Sequence, residues 1–79
     1  MYHPGHGGLR IFPQWSVLRS MRIRWGLSQE ELAADVGTTR KTISTLERGR
    51  ATPSLSLAIA LARRLGLAVE DLFPLEDLR

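Results

Sequence analysis

The sequence predicts an all-α fold, a compact five-helix bundle that contains a helix-turn-helix. Apolar residues recur at helical spacing in four stretches of the 79-residue chain. Serine or threonine opens three of these stretches and glycine closes them, as expected at helix starts and stops. Only residues 37–39 separate the second stretch from the third, and two helices so closely joined must cross at a steep angle.

The first helix is predicted from about residue 13 or 14 to residue 25, because the proline there suits a first helical turn. Leu18, Met21 and Trp25 form its inward stripe. Arg22 lies beside that stripe, and a buried arginine requires an acidic partner. Glu47 is the acid at the end of the third helix, so we expect Arg22 and Glu47 to form a structural ion pair.

The second and third helices have clear start signals. Ser28 is the predicted N-cap of the second helix, and Glu31, three residues later, completes a capping box. Gly37 falls where the end of a helix takes a positive φ, and Thr39 is the predicted N-cap of the third helix. The apolar residues expected to face the core are Leu32, Ala33, Val36, Ile43 and Leu46.

The fourth helix is predicted between Ser54 and Gly66, and a short fifth helix follows over residues 69–73. Leu57, Ile59 and Ala60 leave the fourth helix apolar nearly all the way round, and such a helix is normally buried on all sides. In a domain this small, the second covering is expected to be another subunit, so these three residues are predicted at a homodimer interface. The predicted core stripe of this helix comprises Leu55, Ala58, Leu61, Ala62 and Leu65.

The outward face of the third helix is polar and basic at its N-terminal end, where the helix dipole disfavours cations. This conflict has no folding reason and therefore indicates a function. Donor-rich side chains at that end are what base readout in the DNA major groove requires. Residues 38–50 hold the whole net charge of +3, and the rest of the chain sums to zero, which favours a polyanionic partner. The residues predicted to read bases are Thr39, Arg40, Lys41, Ser44 and Thr45.

Four segments in order resemble the phage-repressor/Cro-like (XRE) family of small helix-turn-helix transcriptional regulators, over about residues 17–73. They are LRSMRIRWGLSQEELA, GTTRKTISTLERG, ATPSLSLAIALARRLGL and VEDLF. The resemblance implies a repressor-like DNA-binding domain whose partner is double-stranded DNA. Ala68 departs from the family pattern, because a serine or threonine usually caps the fifth helix.

The resemblance also bears on how the domain would grip the DNA backbone. Ser28 and Gln29 lie at the start of the second helix, where free amides meet an anion, and the resemblance gives Gln29 a phosphate contact. Arg48 and Arg50 suit a helix C-terminus, but the resemblance favours phosphate contact for them as well. It also matches Arg22 and Glu47 to an arginine–glutamate pair of the family.

The two ends of the chain are predicted to lie outside the domain of residues 14–73. Residues 1–13 are expected to form a flexible arm, since residues 3–8 offer nothing to bury. The two histidines of that run lack a third ligand, so neither a metal nor another cofactor is predicted. Two roles stay open for the arm: apolar residues 11, 12 and 15 fold back onto the bundle, or Arg10 contacts DNA. The two leucines of the tail, residues 74–79, would add to the subunit contact.

Composition excludes several other classes. The chain has no cysteine, no apolar run of membrane-spanning length and no signal-peptide pattern, so a cytoplasmic location is expected. No constellation pairs a nucleophile with a base, and an enzyme is not expected. The sequence predicts a homodimeric, sequence-specific transcriptional regulator, such as a repressor, with a near-palindromic operator. The alternatives are a restriction-modification controller, an antitoxin that also binds a toxin, or a protein-bridging module with the same fold.

Overall fold

The computed structural model describes residues 12–73, which form five α-helices and no strand. The predicted all-α fold class is thereby confirmed. The histidines of the arm, Arg10, the side chain of Trp15 and the tail leucines lie outside the described residues. The helices are α1 (Phe12–Arg24), α2 (Gln29–Val36), α3 (Arg40–Glu47), α4 (Leu55–Leu65) and α5 (Val69–Leu72).

The predicted helix caps are present. The Ser28 side chain accepts a hydrogen bond from the Glu31 amide (3.0 Å), and the Glu31 carboxylate accepts one from the Ser28 amide (2.8 Å), which completes the capping box. Thr39 caps α3 by accepting from the Thr42 amide at 3.1 Å. The same contact recurs at α4, where Ser54 accepts from the amide three residues later. Helices α2, α3 and α4 therefore each begin at a hydroxyl side chain that caps a free backbone amide.

Gly37 makes the sharp turn between α2 and α3 possible. Its φ is 78°, in the left-handed region, and its N–H bonds back to carbonyls of the last turn of α2. No atom outside its chain neighbours lies within 4 Å of a Cβ built on it. The requirement for glycine is therefore conformational rather than steric.

The core lies where α1 and α2 both meet α3, α4 packs on α2 and α5, and α5 closes against α1. This arrangement holds the two helices of the helix-turn-helix on a frame made by the other three. Leu72 and Phe73 are fully buried, although the helical stripes alone did not identify them as core residues. The other residues of the buried hydrophobic core cluster are Leu18, Leu32, Ala33, Ile43, Leu46, Ala58, Leu61, Ala62 and Leu65.

The prediction that Trp25 continues the inward stripe of α1 is wrong. The helix ends at Arg24, the chain turns at Gly26 with φ 71°, and the Trp25 side chain is 53% exposed. Its indole N–H donates to the Leu65 carbonyl at 3.1 Å, and the Arg64 guanidinium lies over its ring at 5.9 Å. Trp25 therefore covers the C-terminal end of α4 instead of filling the core.

The predicted faces of α4 also require correction. Leu55 is 45% exposed and Ile59 is 36% exposed; these two residues are four apart and share one flank of the helix. Leu57 is partly buried against the core, because it lies about 200° around the helix from Ile59. Ala60 is half-buried. Leu57, Ile59 and Ala60 therefore do not form one open patch, and the open apolar flank consists of Leu55 and Ile59.

No helix within residues 12–73 has both the length and the apolar character needed to cross a membrane.

Candidate nucleic-acid interface

Helix α3 is anchored by its apolar side and leaves its basic end in solvent. Ile43 and Leu46 are completely or almost completely buried, whereas Arg40 and Lys41 in the first turn are exposed. Neither cation has an ion-pair partner among residues 12–73. Two unpaired cations at the positive end of a helix dipole are unfavourable in isolation, so this end of α3 is suited to an anionic partner.

The hydroxyl groups of α3 differ in what they can offer a ligand. Thr39 uses its oxygen to cap the helix and lies 3.0 Å from the Thr42 hydroxyl. Thr45 donates its hydroxyl proton to the Lys41 carbonyl at 2.8 Å. In that rotamer Thr45 presents a methyl group and oxygen lone pairs rather than a donor. Ser44 is half-buried, so the strongest donors of this face are Arg40 and Lys41.

The segment after α3 carries two further exposed cations. Arg48 caps α3, its amide bonding to the Ser44 carbonyl at 3.2 Å, and Arg50 donates its amide to the Thr45 carbonyl at 3.1 Å. Gly49 between them has φ 69°. The backbone of this loop is thus fixed to the last turn of α3, whereas both guanidinium groups are free of ion pairs within the described residues.

Arg22 and Glu47, the residues predicted to pair, form a bidentate ion pair that joins α1 to the end of α3. Arg22 Nε and Nη2 donate to the two Glu47 carboxylate oxygens at 2.6 and 3.1 Å, and Nη1 donates to the Leu27 carbonyl at 2.8 Å. The side chains are 11% and 3% exposed. Because both charges are nearly buried, each depends on the other for the electrostatic stabilisation that water would otherwise supply.

Gln29, at the first position of α2, joins the same network. Its side-chain amide Nε2 donates to Glu47 Oε1 at 3.1 Å. The residue is half-buried, whereas Ser28 before it is exposed with its hydroxyl committed to the capping box. The start of α2 and the end of α3, the two ends of the helix-turn-helix, therefore meet at one carboxylate.

Sequence reasoning missed three contacts between distant residues. These are the bond from Gln29 to Glu47, the bond from the Trp25 indole to α4, and an ion pair between Arg64 and Asp35 at 2.8 Å. The last joins α4 to α2, with side chains 34% and 39% exposed. Trp25 was predicted in the inward stripe of α1 and Glu47 as the partner of Arg22 alone, and Gln29, Asp35 and Arg64 gave no sequence signal that identified their partners. Within residues 12–73, no group of three or more His, Cys, Asp or Glu side chains is placed to hold a metal ion.

Comparison with known proteins places this arrangement in a family. The family model described as "Helix-turn-helix", HTH_3, matches residues 18–72. This range spans the C-terminal half of α1 and the whole of α2, α3, α4 and α5. This chain belongs to the XRE-type helix-turn-helix family. The predicted resemblance is therefore confirmed, and family membership accounts for the arrangement of α2 and α3.

Relatives of this helix-turn-helix protein are named as transcriptional regulators. A Methanothermobacter thermautotrophicus protein is 51% identical over 63 residues, covering 78% of this chain and 91% of the relative. The regulator YgzD of Bacillus subtilis is 40% identical over 60 residues, covering 76% and 91%. Both carry the name of an uncharacterised HTH-type transcriptional regulator. The family and these names place the chain among DNA-binding transcriptional regulators rather than enzymes.

The fold also resembles a solved regulator closely. The restriction-modification controller protein C.AhdI of Aeromonas hydrophila superposes with a TM-score of 0.73 at 34% identity, covering 82% of this chain and 98% of the controller. A hypothetical transcription factor, NHTF, from Neisseria gives a TM-score of 0.69 at 35% identity, covering 84% and 79%. Nearly the whole length of the controller therefore has a counterpart in this helix-turn-helix protein.

Proposed function

We propose that this helix-turn-helix protein is a homodimeric regulator, for example a repressor, that binds a near-palindromic operator in double-stranded DNA through α3. The observation that carries this proposal is the exposed, unpaired cationic end of α3, which the buried Ile43 and Leu46 fix to the body of the domain. A helix presented in this way fits the width of the major groove.

Base readout would fall mainly to Arg40 and Lys41. Arginine and lysine side chains donate to O6 and N7 of guanine. Thr45, with its proton committed to the Lys41 carbonyl, suits contact with a thymine methyl group or a base N–H. Thr39 lies at the same end of α3 and Ser44 on the same face. These two residues complete the set proposed to read bases.

Phosphate contacts would fix the register of α3 in the groove. The start of α2 offers Ser28 and Gln29 at the positive end of a helix dipole. The Ser28 amide is bonded to the Glu31 carboxylate, so the free backbone amides there begin at Gln29. The loop after α3 offers Arg48 and Arg50, which are exposed and free of ion pairs within residues 12–73. Such contacts contribute affinity without sequence information.

A homodimer would cover the open flank of α4. Leu55 and Ile59 leave an apolar strip there, and Ala60 borders it. A two-fold pair hides such a strip with one self-complementary contact. The two copies of α3 would then be spaced for half-sites about 34 Å apart.

Competition binding with purified protein tests the proposal. Arg40→Ala and Lys41→Ala should each weaken preference for a selected duplex over bulk DNA by roughly 5- to 100-fold. Arg19→Ala is the matched control, because it removes an exposed arginine of α1 outside the proposed interface. Equal losses in all three variants would mean that α3 contributes charge but does not read bases.

The fit to C.AhdI favours a second candidate, a restriction-modification controller. A controller or an antitoxin would be encoded beside its partner gene, and both would act in the cytoplasm on DNA. Purification of the protein with the product of the adjacent gene would support an antitoxin, whereas a binding site upstream of a restriction-modification gene would support a controller.

A further inference from the structure

We infer that Glu47 is a positioning residue for DNA binding, because it holds the Gln29 side chain in the orientation that meets a phosphate. This inference rests on the proposed DNA-binding function and adds a role to a carboxylate that would otherwise only pair with Arg22. The Glu47 carboxylate makes three contacts: two from Arg22 and one from the Gln29 amide nitrogen at 3.1 Å.

The chemistry of the carboxylate fixes the orientation of the Gln29 amide. A carboxylate only accepts hydrogen bonds, so the NH₂ group of Gln29 must face Glu47 and its carbonyl oxygen must face away. One N–H is used in this bond, and the second N–H stays available for an acceptor. Bonds to an ionised acceptor are stronger than neutral ones, and Glu47 is 3% exposed, so water competes little for this contact.

Arg22 makes the arrangement compatible with a nearby phosphate. A bare carboxylate beside the DNA backbone would repel it, but the bidentate pair with Arg22 neutralises the charge. Arg22 also donates to the Leu27 carbonyl at the corner before α2, which fixes the chain that leads to Gln29. One buried acid therefore ties the end of the reading helix to the side chain that begins α2.

Glu47→Gln tests the inference with little change of shape. The new amide has one neutral acceptor oxygen for the three N–H groups that the carboxylate accepts, so the bond from the Gln29 NH₂ group is lost or weakened. We expect affinity for a fixed mixed-sequence duplex at low salt to fall about three- to tenfold. In a Gln29→Ala background the same change should alter affinity by less than about twofold, because the side chain it positions is gone.

Asp35→Asn is the matched control. It also turns an arginine-paired carboxylate into an amide and raises the net charge by one, but it lies at the α2–α4 contact. Dividing the effect of Glu47→Gln by that of Asp35→Asn removes the general gain in DNA attraction from the added positive charge. Equal losses from Glu47→Gln with and without Gln29 would overturn the inference, as would no loss. The proposed function would stand after either result if Arg40→Ala and Lys41→Ala still weakened the preference for the selected duplex.

A second measurement keeps the inference falsifiable if Glu47→Gln does not fold. The chain has two glutamines and no asparagine, so the side-chain amide region of a ¹⁵N NMR spectrum of the unmutated protein contains two NH₂ pairs. One Gln29 proton should exchange with water more slowly than the other, and both resonances should move when the duplex is added. The inference would be overturned if both Gln29 side-chain protons exchange rapidly with water and their resonances do not shift when the duplex is added.

Discussion

Removing one partner of the Arg22–Glu47 pair should destabilise the domain more than the loss of its three hydrogen bonds would suggest. With Arg22→Met, a carboxylate that is 3% exposed keeps only the Gln29 contact. Such a stranded buried charge costs about 3–5 kcal/mol. A domain of this length has roughly 4–12 kcal/mol of stability in total, so the melting temperature should fall by about 12 °C or more.

The double variant Arg22→Met/Glu47→Leu removes both charges. It leaves the Leu27 carbonyl and the Gln29 amide without their partners, which costs about 1–3 kcal/mol. The two single losses, with Glu47→Leu as the second, should therefore exceed the double loss by about 3 kcal/mol or more. Unfolding in urea followed by circular dichroism measures all three.

The more exposed Arg64–Asp35 pair provides the control for this cycle. Its side chains are 34% and 39% exposed, and surface pairs contribute about 1 kcal/mol or less. Asp35→Leu should therefore change stability by no more than that. If the losses at Arg22 and Glu47 add within about 0.5 kcal/mol, the two charges do not depend on each other and the reasoning is refuted.

Three further outcomes are expected. Arg50→Ala should weaken binding to all duplexes alike and reduce the salt dependence by about one phosphate contact; a salt titration that leaves the slope unchanged would exclude that contact. Ile59→Glu should give a folded monomer in sedimentation, whereas Leu57→Glu should lower the melting temperature because Leu57 packs on the core; the opposite result would place the interface on the other flank. Gly37→Ala should cost about 1 kcal/mol in urea unfolding, since a side chain is disfavoured at φ 78°, and a neutral result would contradict the strain.

Much of the fold follows from local signals in the sequence. Ser28, Thr39 and Gly37 mark helix ends through contacts within three or four residues, so their roles are visible without tertiary structure. The Arg22–Glu47 pair spans 25 residues and was still predictable. An arginine beside an inward stripe must find an acid, and the family resemblance pointed to the same pair.

The errors arise where packing between distant helices decides the outcome. Periodicity identifies an inward face on α4 but not how far α2 and α5 extend around it. Leu55 was therefore predicted in the core and Leu57 on the open face, whereas Leu55 is exposed and Leu57 packs against the core. Trp25 fits the stripe of α1, but the chain leaves the helix at Arg24. The bond from Gln29 to Glu47 joins residues 18 apart, and nothing in either residue type demands that partner.

The most direct test of base reading by α3 is selection of binding sites from a randomised duplex pool, with the unmutated protein and with Lys41→Ala in parallel. The unmutated protein should recover two related half-sites about one helical turn apart. Lys41→Ala should recover the same spacing but lose base preference, for guanine above all, at one position in each half-site. An identical consensus from both proteins, or no consensus from the unmutated one, would contradict the claim that α3 reads bases.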